Sequence, residues 1–102
     1  MPAYIIARFT IHDRGSYDRY DAAFMTVFAK FKGKLLSADE SPDVLQGEWN
    51  HTRSVLLEFP DKRSARAWML SPEYRAIAQH RIDASEGDII MVEGFDGTAT
   101  SG

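Results

Sequence analysis

The chain contains no cysteine, so a disulfide framework, a thiolate metal site and a thiol nucleophile are all closed to it, and several enzyme classes fall away together. Long apolar runs are missing as well, and nothing approaches the length of a membrane span. The opening Met1-Pro2-Ala3-Tyr4-Ile5-Ile6-Ala7-Arg8 has neither the basic start nor the long apolar core of a secretory signal. A soluble cytoplasmic protein without a membrane partner is therefore expected. Basic excess is also lacking: the formal net charge is -3, and no nucleic-acid partner is expected from a chain without clustered Lys and Arg. Lys30, Lys32 and Lys34 are the one basic cluster, placed where a first helix should end and its dipole would welcome positive charge. There is no G-x-S-x-G, no phosphate-binding glycine loop and no dinucleotide fingerprint.

What is present is ordinary globular material. With 102 residues and 44% hydrophobic content, the chain can build one compact core, and a single domain over residues 1–95 is expected. Residues 96–102 are small and polar and read as a disordered tail. Residues 3–11 alternate, with Ile5, Ala7, Phe9 and Ile11 on one face and Tyr4, Ile6, Arg8 and Thr10 on the other. Ser16 then offers a cap for a helix whose Tyr17, Tyr20, Phe24, Val27, Phe28 and Phe31 recur at helical spacing, with Gly33 where a C-terminal glycine belongs. Residues 34–38 and 44–46 read as two pieces of an interrupted second strand, divided by the turn Asp39-Glu40-Ser41-Pro42-Asp43. A third strand runs from Arg53 to Phe59. Pro60 stops it, Asp61 caps a short helix with Ala65, Trp68 and Met69 on its apolar side, and Ser71-Pro72 opens another that runs to about Ser85. The last strand is expected over residues 89–93.

The order strand, helix, strand, strand, helices, strand gives an α+β, ferredoxin-like βαββαβ plait: a four-stranded antiparallel sheet with its helices on one face. The other face would carry Tyr4, Ile6, Arg8, Leu56, Glu58, Ile89, Met91 and Glu93, which is too apolar to leave wet. A symmetric homodimer pairing sheet on sheet would cover it. Arg8 would then need Glu58 or Glu93 as a partner, because an unpaired buried charge is costly.

These pieces resemble the family called domain of unknown function 1330, within the dimeric α/β-barrel group. The carriers are Tyr4-Ile5-Ile6-Ala7-Arg8, Tyr17 with Tyr20, Gly47-Glu48-Trp49, Leu57-Glu58-Phe59-Pro60, Ala67-Trp68, Ser71-Pro72-Glu73-Tyr74, Arg81 and Val92-Glu93-Gly94. Asp39-Glu40 stands where members often have glycines. Met69-Leu70 follows Trp68 where an aromatic and a polar or acidic residue are more usual, a change that would remove a hydroxyl from any pocket there. The resemblance implies two plaits packed into a barrel and brings no established reaction. Relatives in the wider group, which include cofactor-free monooxygenases, lactone isomerases and haem-degrading enzymes, place their ligands between sheet and helices.

That location makes Tyr17, Tyr20, Trp49, Trp68, Tyr74 and Arg81 the candidate ligand-binding residues. Arg81 falls on the stripe Tyr74, Ile77, Ala78, Arg81, Ile82, which should be buried, and its forked guanidinium suits a carboxylate or enolate. Tyr20 and Tyr74 would offer hydroxyls, and Trp49 and Trp68 would close the walls. The alternative is that the aromatics are plain core and that Arg81 pairs with an internal acid such as Asp21 or Glu58. His12, His51 and His80 are scattered without metal-ligand spacing, so neither a metal nor a cofactor is expected. Glu48 is a further acid-base candidate, or a solvated loop acid. Two functions stay open: binding of a small anionic or carbonyl-containing molecule, with cofactor-independent isomerase or monooxygenase chemistry, and a non-catalytic ligand-sensing or structural dimer.

Overall fold

The computed structural model describes residues 1–95, and the expected disordered tail at residues 96–102 lies outside the described residues. The elements run β1 (Ala3–Ile11), α1 (Arg14–Phe28), β2 (Lys34–Asp39), β3 (Arg53–Phe59), α2 (Lys62–Met69), α3 (Pro72–Ala84) and β4 (Ser85–Glu93). They form one four-stranded sheet in the order β2-β3-β1-β4, with every pairing antiparallel. This is the ferredoxin-like plait that the element order predicts.

Alternation along β1 does what the pattern demands: Ala3, Ile5, Ala7 and Phe9 are buried under the helices, while Ile6 and Arg8 are exposed on the other face. The core continues through Leu57 and Phe59 of β3 to Tyr17, Tyr20, Phe24 and Phe28 of α1, and to Trp68 and Tyr74 of α2 and α3. α1 packs chiefly on α3. The edge strand β2 is left exposed along its whole length, and this lopsided cover leaves room over the β2–β3 half of the sheet.

Local chemistry explains most element ends. Asp61 accepts from the Ser64 backbone N–H and caps α2, and Ser71 does the same for α3 through Tyr74, with Pro72 in the first turn. α1 departs from expectation. Asp13 is its cap and Ser16 lies inside it, because the Asp13 carboxylate takes the Ser16 N–H first. α1 also ends at Phe28 with no basic residue in its last turn, so Lys30, Lys32 and Lys34 lie beyond it. Gly33 is not its C-terminal residue either. A Cβ there would come within 2.4 Å of the Phe28 ring and 2.8 Å of the Phe59 ring, so the glycine serves close packing where the chain enters β2.

Two strand expectations are corrected. β2 is one strand with a bulge between Leu35 and Ser37, and residues 44–46 lie outside it. β4 starts directly after α3 at Ser85, and its register against β1 sets Ile6 opposite Ile90, Tyr4 opposite Val92 and Arg8 opposite Asp88. The open face therefore carries Ile90 and Val92, whereas Ile89 and Met91 turn toward the core under the helices. Arg8 accordingly pairs with Asp88 at 2.9 Å rather than with Glu58 or Glu93. Ile89 to Val92 are all apolar, so parity along this run is invisible in the sequence and is fixed by the neighbouring strand.

Candidate functional site

Between the sheet and α1 lies a cavity of about 380 Å³, within the usual size of small-molecule sites. Ile5 and Ala7 of β1 and Val55 and Leu57 of β3 make its floor, and Tyr17, Tyr20 and Phe24 of α1 make its roof. Trp68 and Tyr74 close one end, their rings 4.2 Å apart. Ala22, Met25 and Leu35, all exposed, stand at the other side, so the mouth opens between α1 and the uncovered strand β2.

Few polar groups reach this apolar space. The Tyr20 and Tyr74 hydroxyls share a hydrogen bond of 2.9 Å. Burial raises the Tyr20 phenol far above its ordinary value, the adjoining Tyr74 oxygen adding to the effect. Burial likewise pushes the Tyr17 phenol up to about 12, against the opposing pull of Arg53. Both are neutral donors at physiological pH. Trp68 Nε1 is buried without a hydrogen-bond partner among the described residues.

The charged groups sit at the mouth. Arg53 opens β3 on the inward side, its guanidinium 5.4 Å from the Tyr17 ring centroid. It donates to Asp21 at 3.2 Å and to Glu40 at 3.0 Å. Only 13% of the Arg53 side chain is exposed, and its Nε is buried without a partner among the described residues. Arg14 also binds Glu40 and lies near Asp18. The hydrogen bond from Arg14 holds the Glu40 carboxyl below its ordinary range. Asp21 goes the other way: desolvation raises its pKa, Arg53 opposes, and Glu40 and Asp18 add to the rise. Thus two acids flank one arginine, and their surroundings shift them in opposite directions.

Of the six candidates named from sequence, Tyr17, Tyr20, Trp68 and Tyr74 come together on the cavity wall, and Trp49 and Arg81 do not. Trp49 packs edge-on against His51, in a loop whose Asn50 carbonyl accepts from Thr10 on the open side of the sheet. Arg81 is half-buried as its stripe implies, but its guanidinium lies 5.3 Å from the Phe9 ring centroid and 5.9 Å from that of Tyr20, behind the aromatic wall. It makes no ion pair with Asp21 or Glu58 among the described residues. Glu48 is exposed in its loop. The charged lining residues are Arg53, which sequence reasoning passed over, and Asp21, which it named only as a partner for Arg81. A signal existed: Arg53 shares the inward parity of Val55, Leu57 and Phe59, and Asp21 stands one helical turn after Tyr17.

Comparison with known proteins adds to this geometry. A family model described as a domain of unknown function (DUF1330) matches residues 2–95. No curated protein matches the chain. Among solved structures, it is similar to the RPA0582 protein of unknown function from Rhodopseudomonas palustris, with a TM-score of 0.76 and 16% identity over 93% of this chain and 83% of that one. A dimeric ferredoxin-like protein of unknown function from Jannaschia sp. CCS1 aligns with a TM-score of 0.70 and 14% identity over 92% of this chain and 100% of that one. SnoaB, a cofactor-independent oxygenase from Streptomyces nogalater, aligns with a TM-score of 0.63 and 15% identity over 93% and 94% of the two chains. At these identities the likeness is one of fold.

Proposed function

We propose, on the premise that the chain belongs to the domain of unknown function 1330 family, that it is a homodimer whose subunits each bind a small, mostly apolar carbonyl compound in the cavity between sheet and helices. The observation that carries this reading is the cavity itself: about 380 Å³, walled by aliphatic and aromatic side chains, with its charged groups confined to the mouth. Such an arrangement takes up an apolar body and orients it through a few polar contacts. The charged lining residues are one acid and one arginine, Asp21 and Arg53, already paired at 3.2 Å, which favours a neutral carbonyl over a permanent carboxylate. The oxygenase activity of SnoaB is not carried across, since only the fold is shared. The homodimer rests on the open sheet face, where Ile6 is 42% and Ile90 54% exposed, and on the description of structural relatives as dimeric.

Calorimetric titration with butyrophenone, an aryl ketone without charge, tests the reading. Wild type should bind it, and Ala22→Trp, which puts bulk at the mouth on an exposed helix position, should not. Equal binding by both proteins would place the ketone elsewhere and overturn the proposal.

A further inference from the structure

Resting on the cavity reading above, we infer that Asp21 and Arg53 form a proton-accepting and anion-holding pair at the cavity mouth, suited to a carbonyl compound with an acidic C–H or an enol O–H, of which a 1,3-diketone is the simplest kind. Both side chains line the cavity and touch each other at 3.2 Å, so a ligand that meets one meets the other. Asp21 binds Arg53 through Oδ1, and among the described residues its Oδ2 has no hydrogen-bond partner. Arg53 uses one N–H on Asp21 and one on Glu40, leaving others of its five donors for a ligand oxygen.

The chemistry balances without an added reactant. The ligand's C–H or O–H bond breaks, the proton goes to Asp21 Oδ2, and the electron pair stays on the ligand as an enolate whose oxygen lies against Arg53. The negative charge passes from one partner of Arg53 to another, and the net charge of the mouth is unchanged. In a partly desolvated place that avoids leaving the guanidinium unpaired at any stage. Return of the proton to a different carbon gives an isomer. Glu40 does not compete as the base, because Arg14 holds its charge in place, whereas burial, Glu40 and Asp18 all make Asp21 more ready to take a proton despite the opposing pull of Arg53 and Arg14. The Tyr17 and Tyr20 phenols are held neutral by burial and do not act as bases.

Benzoylacetone and butyrophenone share an aryl ketone body, and only the first has an acidic position between two carbonyls. Wild type should bind benzoylacetone about ten-fold more tightly than butyrophenone, the size expected of one charge-assisted hydrogen bond. The bound diketone should show enolate absorbance at a pH where the free compound does not. Asp21→Asn should bring the two affinities together and abolish the enolate band, with the circular dichroism spectrum unchanged. Arg53→Lys, which keeps the charge, should retain part of the band. Equal affinities in wild type, or an enolate band that survives Asp21→Asn, overturns the pair while leaving the cavity reading standing. Failure of both compounds to bind wild type sinks the cavity reading and the pair with it.

Discussion

Tyr17 sits in the roof of the cavity with its phenol pushed up to about 12, against an ordinary value near 10. The fold thus favours the neutral phenol. Its contribution to stability is complete below about pH 10, where the unfolded chain titrates, and is lost as the pH climbs through about 12. Tyr20, raised further by burial and by Tyr74, behaves the same way. An alkaline titration should therefore show part of the tyrosinate absorbance arriving together with the loss of circular dichroism. A smooth rise of all four tyrosines near pH 10 with the fold intact would contradict this. The arginines make the complementary point at this scale. Helical spacing correctly marks Arg81 as inward-leaning, but spacing fixes only the face of a helix, and Phe9 and Tyr20 stand between its guanidinium and the cavity. Arg53 occupies the mouth because strand parity and the approach of α1 bring it to Asp21, a meeting of residues 32 positions apart.

The junction of α2 and α3 depends on one side chain. Ser71 Oγ accepts from the Tyr74 N–H at 3.1 Å and donates to the Trp68 carbonyl at 2.7 Å, and the site is buried. It ends one helix, starts the next and holds the Trp68 and Tyr74 rings together at the end of the cavity. Ser71→Ala should cost about 1–2 kcal/mol, the range of a lost N-cap, read as a lower urea midpoint with an unchanged slope. An unaltered midpoint would refute that role. Caps of this kind are legible in a sequence because the donor and acceptor lie three residues apart. The start of α1 shows the limit, since Asp13 and Ser16 are both good caps and three residues separate them. β4 shows another. Its four consecutive apolar residues carry no alternation, and its register is settled by pairing with β1, where Gly87 passes so near Arg8 that a Cβ would lie 1.9 Å from the Arg8 carbonyl oxygen.

In the whole molecule the open sheet face is where the proposed homodimer would pair. Tyr4, Ile6, Leu56, Ile90 and Val92 share that face, with Arg8 and Asp88 paired beside them. Burying such side chains in a second copy is worth roughly 25 cal/mol per Å² of apolar surface. Ile6→Asp enters a symmetric interface twice, so the loss should be about 3–6 kcal/mol, or a hundred-fold or more in dissociation constant. Sedimentation at low micromolar concentration should show a dimer for wild type and a monomer for the variant. Identical profiles would count against sheet-to-sheet pairing. The sequence by itself determined the order and kind of the elements, the inward side of β1, the capped starts of α2 and α3 and the aromatic wall, because each rests on periodicity or on contacts a few residues long. Only the tertiary structure decided the register of β4, the partner of Arg8, the retreat of Trp49 and Arg81 from the cavity and the meeting of Asp21 with Arg53. Those depend on which strands lie side by side and how far a helix stands off a sheet, and no local pattern encodes either.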